Sequence, residues 1–235
     1  GSLDADKVPY AQNIFQTTDV ISSIVSDPFE LGKISAKHAL NDIFASNSKP
    51  IASQMIISLP PAINEINKRD LIQLKTGAEI LMEKASCKII GGHTYSNNDE
   101  QDYIGFSIIG KRKKYIKEKN VTNGNLYITG KIGSAIVFAA IEKKIINGSY
   151  SKEVVNEMNK SNYEVFKIFS KHNLQIITDI SGFGLAIHAN NLLLRHPLLN
   201  GLDISLEKIP LYEGAKKALN ANVKSSLNDS NKISI

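Results

Sequence analysis

The sequence of 235 residues has little sulfur chemistry and no long apolar run. Its one cysteine, Cys87, cannot form an internal disulfide, which fits a reducing compartment, so we expect a cytoplasmic protein. The longest apolar stretch, residues 135–141, is far shorter than the roughly 20 residues that a membrane-spanning helix needs, and no membrane association is expected. The cysteine spacing of zinc sites, the HExxH motif and a serine–histidine–aspartate order are also absent, which leaves hydrolase and zinc-site functions without support.

The formal net charge is +5, but much of the basic excess lies in one stretch, residues 111–119. Nucleic-acid binding uses aromatic side chains between the basic ones as stacking platforms, and only Tyr115 lies in this stretch. We therefore interpret the stretch as a solvated connection and expect no nucleic-acid partner. Hydrophobic residues make up 42% of the chain and charged residues 22%, which indicates a packed globular protein.

Hydrophobic periodicity and turn signals predict two α+β domains, residues 1–115 and 116–235, joined near residues 111–125. In the first domain the predicted strands and helices are residues 12–25 (strand), 28–44 (helix), 51–59 (strand), 68–84 (helix), 88–90 (strand) and 103–109 (strand). In the second they are residues 126–129 (strand), an apolar helix after Gly133, 152–170 (one long helix), 174–178 (strand) and 183–195 (helix), with further alternation up to Leu219.

Residues 178–185 (TDISGFGL) form the most informative stretch for chemistry. Asp179 follows an apolar segment, and glycines precede the predicted helix. Free backbone N–H groups at a helix start favour an anion, glycines allow its close approach, and a nearby carboxylate can hold Mg²⁺. An aspartate before a glycine-rich turn is equally typical of a helix N-cap, and the spacing alone leaves both readings open.

Two more aspartates lie in unusual places. Asp42 follows His38 by one helical turn and stands near a helix end, where a cation would be better placed, although a solvated aspartate there is the simpler explanation. Asp19 interrupts an apolar strand. Two carboxylates about 4 Å apart repel each other by roughly 4 kcal/mol at an effective dielectric constant of 20, so a cluster of three would require cations such as Mg²⁺.

Two glycine-containing segments are candidates for phosphate binding. Residues 91–94 (GGHT) are predicted to form a turn after a strand that ends at Ile90, where His93 could donate to a phosphate; a plain glycine turn with an exposed histidine is the alternative. Residues 130–134 (GKIGS) lack the spacing of a P-loop, and we reject that motif.

Taken in order, these segments resemble the selenophosphate synthetase (selenide, water dikinase) family, which belongs to the superfamily of aminoimidazole ribonucleotide synthetase. Met158 and residues 161–162 also match the family pattern. The resemblance covers nearly the whole chain, and the last block separates this family from superfamily members that act on a purine intermediate or on thiamine phosphate. The matching blocks are residues 16–19 (QTTD), 24–29 (IVSDPF), 36–45 (AKHALNDIFA), 91–94 (GGHT), 126–133 (LYITGKIG) and 178–185 (TDISGFGL) with His188.

The resemblance implies an α+β fold of two domains, an N-terminal sheet with helices that pairs in a homodimer and a C-terminal α+β domain. It implies Mg²⁺ and ATP as cofactors, selenide as the small-molecule substrate, and selenophosphate, AMP and phosphate as products. By position it assigns the metal-binding role to Asp42 and Asp179. The ATP contacts that it implies are Asp19, Asp42, Gly91, Gly92, His93 and Thr94.

The chain also departs from the family. Asn41 replaces a serine, residues 46–48 (SNS) replace a Met-Gly-Gly type of turn, and Ala135 replaces a glycine. The family carries a reactive cysteine or selenocysteine and a lysine in an N-terminal segment that has no match here, so we expect a fragment that is truncated at both ends and inactive alone. A further family aspartate fits either Asp4 or Asp6, and the sequence assigns neither.

Two interpretations of the whole protein stay open. The sequence of residues 38–45 and 225–227 resembles that of family members fused to an NADH dehydrogenase-like flavin oxidoreductase. This resemblance predicts such a partner domain. The departures from the family also leave room for a catalytically inactive dimerisation or regulatory module of the same fold.

Overall fold

Strands and helices of an α+β fold fill the computed structural model, which describes residues 4–9, 11–112, 122–172, 174, 176–196, 198–228 and 231. The predicted fold class is confirmed. The chain divides into two compact units, Gly1–Glu118 with Asn159–Asp179, and Lys119–Met158 with Ile180–Ile235. The single domain boundary expected near residue 115 stays a prediction, and the division adds that residues 159–179 return to the first unit. Among the described residues, no helix has the length and hydrophobicity to cross a membrane.

The first unit is built on a five-stranded sheet with the strand order β1-β2-β5-β3-β4. Neighbouring strands are antiparallel except β3 and β4, which are parallel and are connected by a helix. That connection is the crossover that a parallel pair requires. The strands are β1 (Asp6–Lys7), β2 (Ile14–Ser22), β3 (Lys49–Leu59), β4 (Lys88–Ser96) and β5 (Tyr103–Lys111).

Two helices, α1 (Pro28–Ala45) and α2 (Asn64–Lys84), cover one face of this sheet. They approach each other closely at two glycines: a Cβ atom at Gly32 would lie 2.0 Å from the carbonyl oxygen of Leu74, and one at Gly77 would lie 2.0 Å from that of Phe29. The main core of the unit lies between the helices and the sheet. Its fully buried large side chains are Leu31, Leu40, Ile43, Leu74, Leu81, Met82, Ile104, Phe106 and Ile108.

The start of α1 follows the sequence signals. The carboxylate of Asp27 accepts a hydrogen bond from the backbone N–H of Glu30 at 3.1 Å, and Pro28 occupies the first helical position. The helix ends at Ala45, and Asn47 takes a left-handed backbone conformation with φ of 52°. The predicted helix is therefore confirmed with nearly the same bounds.

The long helix expected over residues 152–170 is wrong. The structure has α4 (Ser151–Met158) in the second unit and α5 (Tyr163–Lys171) in the first, separated by residues 159–162. In the first unit, Tyr163 and Phe166 pack against Phe44 near the end of α1. Residues 174–178, expected to be a strand, are not in one at the positions that the structure describes.

The second unit is helical in the part that the structure describes. Its helices are α3 (Ser134–Glu142), α4, α6 (Gly184–Arg195) and α7 (Glu213–Asn220), and the predicted apolar helix after Gly133 and the helix over 183–195 are confirmed. Residues 126–129, predicted as a strand, form none; an isolated bridge between Ile132 and Leu211 is the sheet-like pairing that this unit shows in its described residues. Residues 113–121 of the basic stretch lie outside the described residues.

Candidate functional site

Four aspartates from distant segments of the first unit come together beside the sheet. Asp4 precedes β1, Asp19 lies on β2, Asp42 in the last turn of α1, and Asp179 at the end of the returning segment. Hydrogen bonds and charge interactions connect them into two pairs, Asp19 with Asp42 and Asp4 with Asp179. We call this group the aspartate cluster.

The first pair is positioned by β2 and α1. Because side chains alternate along a strand, Thr17 and Asp19 share the face of β2 that is turned to α1. The hydroxyl of Thr17 donates a hydrogen bond of 2.6 Å to Oδ2 of Asp42, whose side chain is only 7% exposed. Burial, a hydrogen bond to the Asp19 side chain and the charges of Asp179 and Asp19 raise the pKa of Asp42 to about 9, against a smaller opposing effect of the Thr17 bond.

The second pair joins the two ends of the described first unit. The hydroxyl of Thr178 donates a hydrogen bond of 3.0 Å to Oδ1 of Asp4, which is 5% exposed. Burial raises the pKa of Asp179 to about 7, with further contributions from the charges of Asp4 and Asp19 and from a hydrogen bond to Asp4. Both raised pKa values mean that negative charge in this cluster is costly until a cation offsets it.

The cluster suits magnesium that arrives with phosphates better than a metal held by protein alone. In the described residues, no group of three or more His, Cys, Asp or Glu side chains is arranged around one point that could hold a metal ion. Mg²⁺ is commonly bound by one or two carboxylates, with waters and substrate phosphates completing six ligands. The pairs Asp19 with Asp42 and Asp4 with Asp179 can each supply the one or two carboxylates that such a site needs. The buried Oδ2 atom of Asp19, which receives no hydrogen bond from any described residue, is a ready ligand atom.

The three predicted aspartates are thus brought together, and both simple alternatives fail. Asp42 is buried and bonded rather than a solvated residue of a last helical turn. Asp179 does not cap α6, because that helix has Phe183 at its N-cap position and no side-chain hydrogen bond there. The sequence left Asp4 and Asp6 open, and the structure places Asp4 in the cluster. Burial is the property that separates it from Asp6, which is exposed on β1, and sequence spacing does not reveal burial at a chain end.

Residues 91–94 are not the turn that we expected, since they lie inside β4. Gly92 marks a close approach of strands, because a Cβ atom there would lie 1.9 Å from the carbonyl oxygen of Met55. The pairing with β3 skips Ile90, so the strand carries a bulge there. His93 is exposed, stacks on Tyr95 with ring centroids 5.9 Å apart, and lies on the sheet face opposite to Asp19. Contact of residues 91–94 with ATP stays a prediction.

Cys87 and His188 are buried, one in each unit, and belong to the packing of their own unit. Cys87 is 3% exposed and packs in the core of the first unit, and burial raises the pKa of its thiol. In the second unit His188 is fully buried, and its Nε2 accepts a hydrogen bond of 3.1 Å from the backbone N–H of Ser181. This contact holds the turn before α6, in which Gly184 has φ of 80°.

Comparison with known proteins supports this description. Residues 4–111 match the model of a family described as AIR synthase related protein, N-terminal domain. Residues 4–111 of the first unit are thus similar to the N-terminal domain of AIR synthase related proteins. That segment contains the whole sheet, both covering helices and three of the four aspartates.

Similarity to curated proteins extends beyond this segment. The chain is 30% identical over 209 residues to a selenide, water dikinase of Caldanaerobacter subterraneus subsp. tengcongensis, a match of 87% of this chain and 58% of the relative. It is 28% identical over 203 residues to a selenide, water dikinase of Myxococcus xanthus, a match of 84% of this chain and 56% of the relative. The chain therefore spans less than two thirds of the length of these relatives.

Solved structures show the same fold at low identity. Thiamine monophosphate kinase from Aquifex aeolicus superposes with a TM-score of 0.67 and 18% identity, covering 94% of this chain and 75% of the other. A HypE–HypF complex gives a TM-score of 0.69 at 18% identity, covering 94% and 73%. At this level of identity the likeness concerns the fold alone.

Proposed function

We propose that this chain is the magnesium- and ATP-binding part of a selenophosphate synthetase. The observation that carries the proposal is the aspartate cluster, in which four acidic side chains, drawn from both ends of the first unit, share a partly buried position. The similarity to selenide, water dikinases supports selenide as the substrate and selenophosphate as the product.

In this proposal Asp42 and Asp179 hold Mg²⁺, and Asp19 and Asp4 complete the negative side of the site. The metal supplies positive charge that offsets the phosphate charge as the phosphoryl group is transferred. The chain's own residues orient the ligand atoms: Thr17 fixes the Asp42 carboxylate, and Thr178 fixes Asp4.

Calorimetric titration with the non-hydrolysable analogue AMPPCP tests this proposal. Binding is expected to require Mg²⁺. In Asp42→Asn and in Asp179→Asn the affinity should fall on the order of 100-fold. With the ligand at 100 times its dissociation constant, binding should add about 2.7 kcal/mol to the free energy of unfolding. Asp203→Asn, which alters an exposed aspartate of the second unit, is the matched control and should bind normally. Equal binding by all variants would refute the assignment.

The sheet supports a second part of the proposal, a homodimer that pairs through the uncovered sheet face. We call this face, opposite to α1 and α2, the open face. It carries the exposed apolar side chains of Val20, Tyr95 and Ile109, and the described helices α1 and α2 lie on the other face. Sedimentation velocity of the parent chain should show a dimer, and Ile109→Lys should shift it to the monomer. The residues of the open face include Gln16, Thr18, Val20, Gln54, His93, Tyr95, Ser107 and Ile109.

The alternative of an inactive dimerisation module rests on the substituted residues at positions 135 and 46–48. It predicts the same dimer without magnesium-dependent nucleotide binding, so the titration separates the two functions. Inactivity of the isolated chain and fusion to a flavin oxidoreductase stay predictions.

A further inference from the structure

Two of the residues that depart from the family, Asn41 and Asn47, both contact the returning segment Asn159–Asp179. The segment leads from its first residues, through α5, to Asp179 in the aspartate cluster. The segment thus connects its contacts with α1 to the position of Asp179, whose charge acts on Asp42.

Asn47 combines a backbone role with a side-chain role. Its φ of 52° is one that glycine adopts freely and asparagine tolerates better than most residues. A glycine would satisfy the backbone but would lack the amide. Here the amide Nδ2 donates a hydrogen bond of 3.0 Å to the carbonyl oxygen of Leu174, and Oδ1 accepts one of 3.1 Å from the hydroxyl of Ser170.

Asn41 makes the corresponding contact at the other end of α5. Its Oδ1 accepts a hydrogen bond of 3.0 Å from Nδ2 of Asn162, the residue before α5. Asn41 directly precedes Asp42, so this bond links the metal-binding part of α1 to the returning segment. A serine at this position has a shorter side chain and lacks an amide oxygen.

An aromatic contact lies between these two polar anchors. The ring of Phe166 stacks on Phe44 with centroids 5.0 Å apart, and that of Tyr163 lies at 6.1 Å. Such contacts hold α5 against α1 but are not directional enough to set its register. The hydrogen bonds of Asn41 and Asn47 define that register at both ends of α5.

We propose that Asn41 and Asn47 are positioning residues that anchor segment 159–174 on α1 and so hold Asp179 in the aspartate cluster. The proposal rests on the proposed magnesium and ATP site. Under it, the substitutions at positions 41 and 47 preserve the site by a different set of contacts and are not signs of lost function.

The test restores the family's residues with Asn41→Ser and Asn47→Gly. Asn41→Ser removes one hydrogen bond and should raise the Mg²⁺ concentration for half-maximal AMPPCP binding about fivefold, whereas Asn47→Gly removes two and should raise it by more. Asn222→Gly is the matched control, because Asn222 also follows a helix end with a left-handed φ, of 54°, but lies in the second unit. It should leave the midpoint unchanged.

A double-mutant cycle separates positioning from a general loss of stability. Asn162→Ser removes the same hydrogen bond as Asn41→Ser, so the two changes together should shift the Mg²⁺ midpoint no more than either alone. Asn41→Ser and Asn47→Gly remove different hydrogen bonds, so their fold-changes in the Mg²⁺ midpoint should multiply. Unchanged midpoints in the Asn41→Ser/Asn47→Gly double variant would overturn the proposal, as would full additivity of Asn41→Ser with Asn162→Ser.

Hydrogen exchange distinguishes failure of this inference from failure of the proposed function. If the parent chain shows no magnesium-dependent binding, the function is refuted, and the exchange of α5 amides still reports the anchoring. The double variant should exchange α5 amides several-fold faster while the amides of β5 stay protected. Equal exchange in α5 would refute the anchoring itself.

Discussion

The two faces of the five-stranded sheet differ in what a single change can do. On the covered face, Ile104, Phe106 and Ile108 of β5 are fully buried under α1 and α2. On the open face, the intervening Ser107 and Ile109 of the same strand are exposed or nearly so. Alternation along one strand thus separates a packed core from a surface available to a partner.

The aspartate cluster belongs to the covered side, although acidic residues are the most costly to bury there. Asp42 is nearly as buried as its apolar neighbours in α1. The aspartate cluster thus lies where the fold is most constrained, whereas the open face keeps its polar pairs, such as Thr18 with Ser107, at the surface.

The largest expected effect tests the packing of the covered face. Gly32→Ala places a Cβ atom 2.0 Å from a backbone carbonyl oxygen of α2 and should lower the free energy of unfolding by about 3 kcal/mol, as measured by urea denaturation. Gly91→Ala is the matched control, because a Cβ atom there meets nothing within 4 Å. Similar losses in both variants would show that the faces do not differ as described.

A pH effect of intermediate size should belong to the covered face alone. The folded pKa values of Asp42, about 9, and Asp179, about 7, lie above the ordinary 3.8, so these groups favour folding at low pH. That contribution is lost as pH rises through those values. In metal-free buffer, between pH 7 and 9, the free energy of unfolding should fall by about 1 kcal/mol per pH unit. Urea titrations of the parent chain and of Asp42→Asn check this slope, which the variant should flatten; parallel curves would contradict it.

A smaller effect concerns the support of one carboxylate. Thr17→Val keeps the shape of a buried side chain and removes the 2.6 Å hydrogen bond to Asp42. Magnesium affinity, measured by titration in the presence of AMPPCP, should fall about tenfold, as is typical when a group that orients a ligand is lost. Thr18→Val, on the open face of the same strand, should bind as the parent does, and equal losses in the two variants would remove Thr17 from this role.

The smallest effect on the stability of the folded unit is expected on the open face. Ile109→Lys should change the free energy of unfolding of the monomer by less than about 0.5 kcal/mol, since Ile109 is 41% exposed. Its effect on the free energy of dimerisation, measured by sedimentation at several concentrations, should be far larger than its effect on the free energy of unfolding. A large loss of stability at low protein concentration would mean that Ile109 is part of the core.

Much of the first unit was predictable because its signals are local. Asp27 and Pro28 mark the start of α1, and apolar residues at helical spacing continue to Phe44. The aspartates could be named for the same reason, since an acidic residue in an apolar strand or a late helical turn is conspicuous. What the sequence could not supply was burial, which assigns Asp4 and excludes Asp6.

The wrong predictions arise where tertiary contacts override local preference. The glycines at positions 91 and 92 resemble a turn, but the close approach of β3 uses Gly92 within a strand. The predicted long helix ends at Met158 because Asn159 and Asn162 bond to Glu30 and Asn41 of α1 rather than continue a helix. The run of turn-forming residues at 159–162 was the available signal.

The hydrogen bond between Thr178 and Asp4 joins residues 174 positions apart in the chain. During synthesis, the sheet and its two helices can therefore form early, whereas the fourth carboxylate becomes available only after residues 119–158 of the second unit have been added. Phe44 stays uncovered until α5 emerges, so a nascent chain has both an apolar patch and an unfinished acidic pocket. Under the proposed function, metal and nucleotide bind only after Asp179 has joined the cluster.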